Sequence, residues 1–299
     1  QAAVEAKVHP TEILELVMVG NPIMHHLLLG IDPTELGWAP FALATNQSLE
    51  VLASELDLKG KTNPGARVYF LPCVAGHVGA DAAGVALAEG PQLRDEVTLV
   101  VDVGTNAEII LGNKDRLLAC SSPTGPALEG AQISSGQRAA PGAIERVRID
   151  PETLEPRFKV IGSDLWSNDP GFAEASKKTG VTGICGSGII EVLAEMFLAG
   201  LITEDGIIDG STASRTDRIL GEGRTFSYVL HRGEPEIRVT QADVRAIQLA
   251  KGALYAGAQL LIDKLGKPVE RIVLAGAFGS HIDAKYAMVL GLVPDCPLD

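Results

Sequence analysis

The sequence predicts an α/β protein of about two compact units, and three observations carry that expectation. Glycine is frequent at 33 residues while aromatic residues make up only 4% of the chain, a balance that suits many tight strand-to-helix turns and poorly suits a stacking or carbohydrate-binding surface. Short apolar runs closed by Gly or Pro alternate with stretches of helical period. The length of 299 residues, at roughly 150 residues per domain, leaves room for two units that each bury a core.

Taken in order, residues 13–19 (ILELVMV) and 67–72 (RVYFLP) are apolar runs ended by Gly20-Asn21-Pro22 and by Pro72, expected as buried strands of a parallel sheet. Between them, Ile23, Leu27 and Leu28 recur at helical spacing, and Asn46 to Leu56 is expected as a second helix. Residues 76–89 are small and Ala-rich, which lets a helix approach its neighbours closely. From Val97 the texture changes: 97–103, 107–112 and 115–120 are three strands joined by Gly104-Thr105-Asn106 and Asn113-Lys114, an antiparallel meander. A helix is expected from near Pro126, and the polar stretch 150–182 is expected to be a surface excursion. Ile189, Leu193, Met196 and Phe197 mark one helix, and Val244, Ile247, Leu254, Leu261 and Leu265 a longer one starting near Thr240. Arg271 to Ala275 is a last strand, followed by Gly276-Ala277-Phe278-Gly279 and a helix. A domain boundary is expected near residue 95, giving 1–95 and 96–299.

Charge and composition narrow the function classes. With 38 acidic and 25 basic side chains the net charge is −13, which argues against a nucleic-acid groove or an anionic-membrane surface. No apolar run approaches the 18 or so residues of a membrane span, and no signal peptide is visible. Cys73, Cys120, Cys185 and Cys296 lie tens of residues apart without a CxxC pair, so neither a zinc site nor a cluster loop is indicated, and they are expected to be reduced thiols of a cytoplasmic protein. His25 and His26, adjacent on a helix, face about 100° apart and cannot both aim at one ion; one of them is expected to pack or cap.

Four segments can carry chemistry. In Asp102-Val103-Gly104-Thr105-Asn106-Ala107-Glu108, an acid ends an apolar strand before a tight turn. Gly104 permits backbone N–H groups to approach a phosphate, Thr105 adds a hydroxyl, and Asp102 can hold magnesium directly or through water; a β-hairpin with an exposed Asp is the other reading. Leu274 to Ser280 runs a strand through Gly276 and Gly279 into a helix, either a nucleotide-binding turn or a packing turn, and its spacing is not that of the dinucleotide fingerprint. Gly183 to Gly188 opens an amphipathic helix whose free N–H groups suit an anion, or is an ordinary start capped near Ser187. In Pro123 to Gly130, Glu129 can face a ribose or a metal-bound water, or simply complement the helix dipole. No GxxxxGK[ST] loop is present, and Ser187 in GSG with His281 as sole base makes a poor hydrolase triad.

In this order, GNPIMHHLLLG (20–30), DVGTNAE (102–108), GPALEG (125–130), GICGSG (183–188), QLAK (248–251) and LAGAFG (274–279) resemble the ATP-dependent reductive activators of corrinoid proteins, actin-like ATPases, over nearly the whole chain. The resemblance implies an actin-like (ribonuclease H-like) fold, with 1–95 finishing a first lobe and 96–299 forming most of a second. It implies ATP and magnesium as ligands, with Asp102, Gly104, Thr105 and Asn106 as the second phosphate loop and Asp102 toward the metal through water. Gly276, Ala277, Phe278 and Gly279 become the adenosine turn, Glu129 lies near the nucleotide, and Gly186, Ser187 and Gly188 line the same cleft. No catalytic residue is assigned.

Members of that family couple ATP hydrolysis to electron transfer, returning a Co(II) corrinoid protein of a methyltransferase system to Co(I) through an N-terminal [2Fe–2S] domain. The Cx4-5Cx2C pattern of that domain is absent from this sequence, and only one Asp-x-Gly-Thr loop is present where the family has two. A fragment without the cluster domain and the first phosphate loop is therefore expected, whose own nucleotide binding is weak. A homodimer is left open. Alternatives are an activator of a dehydratase or benzoyl-type reductase, a small-molecule kinase, and a non-catalytic docking module that keeps the actin-like domain only as a surface.

Overall fold

The computed structural model describes residues 2–56, 58 and 60–298. By its internal contacts the chain divides into a first unit, Gln1–Val100 with Glu108–Ser121 and Leu265–Val269, and a second, Val101–Ala107 with Ser122–Lys264 and Glu270–Asp299.

The first unit opens with α1 (Ala2–Glu5), β1 (Glu15–Met18) and α2 (Pro22–Leu28), and continues through β2 (Leu49–Leu52), β3 (Arg67–Phe70) and α3 (Ala80–Glu89). Its first sheet has the order β1-β3-β2. β1 and β3 pair in parallel as the sequence leads one to expect, with Leu16 opposite Val68. β1 is not buried on both faces, however: Leu16 and Met18 pack on the core of Val68 and Phe70 while Val17 and Val19 face outward. The helix expected over 46–56 is instead β2, antiparallel to β3, followed by a single 3-10 turn at Ala53–Leu56. Leu49 and Val51 turn inward and Glu50 and Leu52 outward, a period of two that a strand satisfies and a helix does not.

Helix α2 starts where Asn21 accepts the Met24 N–H at 2.9 Å with Pro22 in its first turn. Its buried side is not the Ile23/Leu27/Leu28 stripe but Pro22, His25 and His26. His26 places Nδ1 2.8 Å from the Pro22 carbonyl and accepts the Ala44 N–H on Nε2 at 3.1 Å, so its proton must sit on Nδ1. It ties the helix to the following loop, the packing role expected for one of the pair. His25 packs edge-on against Phe70 and is buried as well. The meander is as expected: β4 (Thr98–Asp102), β5 (Ala107–Asn113) and β6 (Arg116–Ser122) are successive neighbours in a second sheet, with Leu99, Val100, Ile109 and Leu111 buried.

In the second unit, the helix expected near Pro126 is one 3-10 turn, Pro126–Glu129, ended by Gly130 at φ 91°. The stretch 150–182 is not merely a surface excursion. It carries β8 (Pro156–Val160) and the short α4 (Phe172–Ala175), and buries Leu154, Phe158, Val160 and Phe172. Its Asp and Pro residues only punctuate: Asp150 accepts the N–H groups of Glu152 and Thr153 in the turn that sends the chain back into the sheet. β8 pairs with β7 (Ala143–Ile149), which pairs in parallel with β9 (Gly183–Ile184) and leads to α5 (Gly186–Leu198). A further antiparallel sheet of β10 (Ile219–Glu222), β11 (Thr225–His231) and β12 (Ile237–Thr240) precedes α6 (Gln241–Leu265), β13 (Arg271–Ala275), α7 (Gly276–Gly279) and α8 (Ala284–Val289). β7 and β10 to β12 have no counterpart in the sequence reading; α6 and β13 lie where it places them.

Two buried carboxylates fix α5 on β7. β9 covers only Ala143 and Ile144 of that strand, and further along Val147 N–H and Ile149 N–H donate to Glu191 and Glu195, each at 2.8 Å. Residues two apart on a strand and four apart on a helix both advance about 6 to 7 Å, so one helix turn stands in for the missing strand. Glu191 also receives Arg146 at 2.7 Å and Arg148 at 2.6 Å, and Glu195 accepts from the Tyr286 hydroxyl of α8.

Candidate functional site

The candidate residues all lie in the second unit: Asp102 to Asn106 and Gly276 to Gly279 at the ends of β4 and β13, which are neighbours in their sheet, Glu129 on the 3-10 turn Pro126–Glu129, and Gly186 to Gly188 at the start of α5. β4 delivers Asp102, half-buried, into the turn Val103 to Asn106, whose tip residues Thr105 and Asn106 are exposed. The turn is clamped through its carbonyls. Thr124 Oγ1 donates to the Gly104 oxygen at 2.6 Å and the Thr105 oxygen at 3.1 Å, and Gly125 N–H donates to the Thr105 oxygen at 2.9 Å. Thr105 Oγ1 in turn donates to Glu129 Oε1 at 2.7 Å, so two of the oxygen-bearing side chains singled out from sequence form one pair. Thr124 escaped the sequence reading as a functional group; its place directly after the meander was the available signal.

Gly276 is where the turn after β13 meets the turn after β4. Its φ is +80°, and a Cβ there would overlap the Asp102 carboxylate, so only glycine allows both residues to keep their places. Gly276 and Ala277 are exposed, Phe278 is half-buried and Gly279 is buried against the Leu274 backbone. Gly186 joins the same group, because a Cβ on it would overlap the Phe278 ring and the Leu128 carbonyl. Ser187 and Gly188 do not. Ser187 Oγ donates to the Glu145 carbonyl at 3.2 Å, and Gly188 packs on the Ile144 carbonyl, so both face β7. Nor does Ser187 cap α5, whose N-cap is Cys185.

Beside Glu129 opens a cavity of about 370 Å³ lined by Pro126, Gly130, Gly136, Gln137 and Arg138. Its wall is closely packed: a Cβ on Gly130 would come within 2.6 Å of the Gln137 oxygen. The edge therefore presents a carboxylate, a hydroxyl–carboxylate pair and an arginine around glycine backbone. Such a set can hold a polyphosphate and its counter-ion, since magnesium takes one or two carboxylates and completes its shell with water and phosphate oxygens. No cluster of three or more His, Cys, Asp or Glu suited to a metal occurs among the described residues. No disulfide joins the cysteines among the described residues; burial pushes the Cys73 and Cys120 thiols up, toward inert packing groups. No helix among the described residues is long and apolar enough to cross a membrane.

Residues 96–299 match the family model described as the C-terminal domain of RACo, the ASKHA domain, and residues 1–93 match the RACo middle region. The chain belongs to the RACo family. The RACo match makes the fold that of an actin-like ATPase, the class to which ATP binding belongs, within a mixed α/β chain. Among relatives, the corrinoid activation enzyme RamQ of Eubacterium limosum is 35% identical over 307 residues, covering 98% of this chain and 48% of RamQ. The [Co(II) methylated amine-specific corrinoid protein] reductase of Methanosarcina barkeri is 29% identical over 305 residues, covering 95% of this chain and 52% of the reductase. A solved structure, a reductive activator for corrinoid, iron–sulfur protein, superposes with a TM-score of 0.81 at 36% identity, over 98% of this chain and 45% of that one. The chain thus spans about half the length of the RACo relatives it matches.

Proposed function

We propose that this chain is the nucleotide-gripping part of an ATP-dependent activator that returns the cobalt of a corrinoid protein from Co(II) to Co(I) in a methyltransferase system of the cytoplasm. Residues 96–299 are its second actin-like lobe and 1–95 the remainder of the first. The observation that carries the reading is the contact of Asp102 with Gly276, which brings a metal-seeking carboxylate to the backbone turn after β13. Asp102 holds magnesium through water, and Gly104, Thr105 and Asn106 present backbone N–H groups to phosphate. Glu129 is oriented by Thr105 toward the same ion or the ribose. Gly276 to Gly279, with Gly186 beneath Phe278, form the floor for the adenosine. Magnesium supplies charge neutralisation of the phosphates when bound. An iron–sulfur cluster has no fit to Cys73, Cys120, Cys185 and Cys296, which are scattered and partly or fully buried, so no electron step is assigned to these residues.

Titration calorimetry of ATP with magnesium, on this chain and on the complete gene product, each with and without Asp102→Ala, tests the assignment. Binding that Asp102→Ala abolishes is the expected result. No binding by the complete protein, or binding indifferent to Asp102→Ala, overturns it, the former in favour of a docking module. Corrinoid coupling is checked separately by the spectral change from Co(II) to Co(I) in a corrinoid protein supplied with ATP and a low-potential reductant.

A further inference from the structure

A second surface of the second unit carries a charge arrangement that folding alone does not reward. In the β7–β8 pair, Arg146 stands opposite Lys159 and Arg148 opposite Arg157. Like charges directly across an antiparallel pair destabilise it. Glu191 meets Arg146 and Arg148 from below, one carboxylate for two guanidinium groups, and Glu145 and Asp283 are the other acids near Arg146. Arg157 and Lys159 form no ion pair among the described residues.

Two aromatic rings lie against these cations: Tyr286 has Arg148 at 4.9 Å, and Trp166 spans three of them. Trp166 has Arg157 at 5.0 Å, Lys159 at 5.3 Å and Arg148 at 5.7 Å from its ring centroid. Its position is built in. Ser167 donates its N–H to the Phe158 carbonyl at 2.7 Å and accepts the Phe158 N–H on Oγ at 3.0 Å, while Trp166 N–H donates to Asp169 at 2.8 Å. Phe158 points inward, so Arg157 and Lys159 on either side of it point out, to the face where Trp166 is held.

We propose that this platform is a docking surface for an acidic segment of a protein partner. Trp and Arg are the side chains that dominate protein interfaces, and a Trp already fixed against cations gives up little entropy on binding. Charge complementarity selects an acidic segment. The net charge of −13 repels extended polyanions and anionic membranes at long range, whereas a short acidic segment within a Debye length of about 8 Å meets Arg157 and Lys159, the two cations of this face that form no ion pair among the described residues. The proposal is independent of the nucleotide assignment, which lies on the turns after β4 and β13.

Trp38 and Trp166 are the two tryptophans, so Trp38→Phe leaves Trp166 emission as the reporter. An oligoglutamate peptide titrated into that protein is expected to change the emission saturably, with affinity falling about tenfold between low and physiological salt. Arg157→Glu with Lys159→Glu is expected to weaken binding at least about tenfold while the melting temperature holds or rises, because each glutamate then faces an arginine. The control pair Lys177→Glu with Lys178→Glu is expected to leave binding unchanged. An unsaturable or salt-independent response overturns the proposal, as does equal binding by the reversed variant. So does a preference for inorganic phosphate or phosphatidylglycerol vesicles over the peptide.

Discussion

Two glycine-rich segments of the second unit look alike in sequence and do opposite things. In 274–279 (LAGAFG), Gly276 takes a left-handed conformation and leaves room for the Asp102 carboxylate, so the missing side chain keeps an edge of the sheet open. In 183–188 (GICGSG), Gly188 lets α5 close onto the Ile144 backbone and Ser187 bonds the Glu145 carbonyl, so there the missing side chain removes space. Gly186 sits at the junction, against Phe278 on one side and Leu128 on the other. Glycine spacing thus marks close approach, and only the approaching neighbour decides whether the result is a site or a seam.

The seam is expected to fail first under mutation. Glu191→Ala leaves the Val147 N–H without its acceptor and two arginines without their shared carboxylate; the arginines keep about a third of their exposure, so the cost is about 3 kcal/mol, at the low end for a buried pair, read from denaturant unfolding. Gly188→Ala forces α5 away from β7 at about 2 kcal/mol, with nucleotide affinity per folded molecule unchanged. Gly276→Ala reverses that pattern: about 1 kcal/mol of stability from the positive φ, but at least about a tenfold loss of ATP affinity as Asp102 is displaced. If Gly188→Ala and Gly276→Ala lower stability and affinity in the same proportion, the distinction between seam and site is wrong. Thr105→Val, which frees Glu129, is expected to cost only about 1 kcal/mol of ATP binding and no measurable stability.

The smallest effect is common to the two units. Burial, and next the neighbouring His26, hold the His25 pKa below its ordinary value of 6.5. Burial, and next Arg218, do the same to His231 in the second unit. Above 6.5 both states are neutral; as pH falls below it the unfolded chain takes up protons that the native histidines refuse, so stability declines until the native pKa is reached. Unfolding midpoints measured from about pH 7.5 to about pH 5 are expected to fall, and His25→Asn with His231→Asn to flatten the slope. An unchanged slope in the double variant would show that other groups control it.

Much of this is legible where the pattern is local. The spacing of Ile23, Leu27 and Leu28 marks α2 although that stripe is not its buried side, apolar runs joined by turn residues mark the meander, and Arg271 to Ala275 is β13 residue for residue. The turn at Asp102 and the glycines after β13 were visible as types, and Thr105 and Glu129 as oxygen donors. The failures share a cause. Residues 46–56 carry a mixed pattern that β3 resolves by offering Leu49 and Val51 partners in register. β7 and β8 carry Arg146, Arg148, Arg157 and Lys159 on their outer face, which hides their alternation behind charge.

The sequence by itself determined the α/β class, the places of α2, the meander, α5, α6 and β13, and the family, because helical spacing, turn residues and ordered motifs act over a few residues each. Only the tertiary structure decided that Asp102 meets Gly276, that Thr124 clamps the turn, and that Ser187 and Gly188 belong to the packing of α5. These contacts join positions tens to well over a hundred residues apart, and nothing local in either partner specifies the other. The fold brings them together by placing β4 beside β13 and by seating two glutamates of α5 along β7.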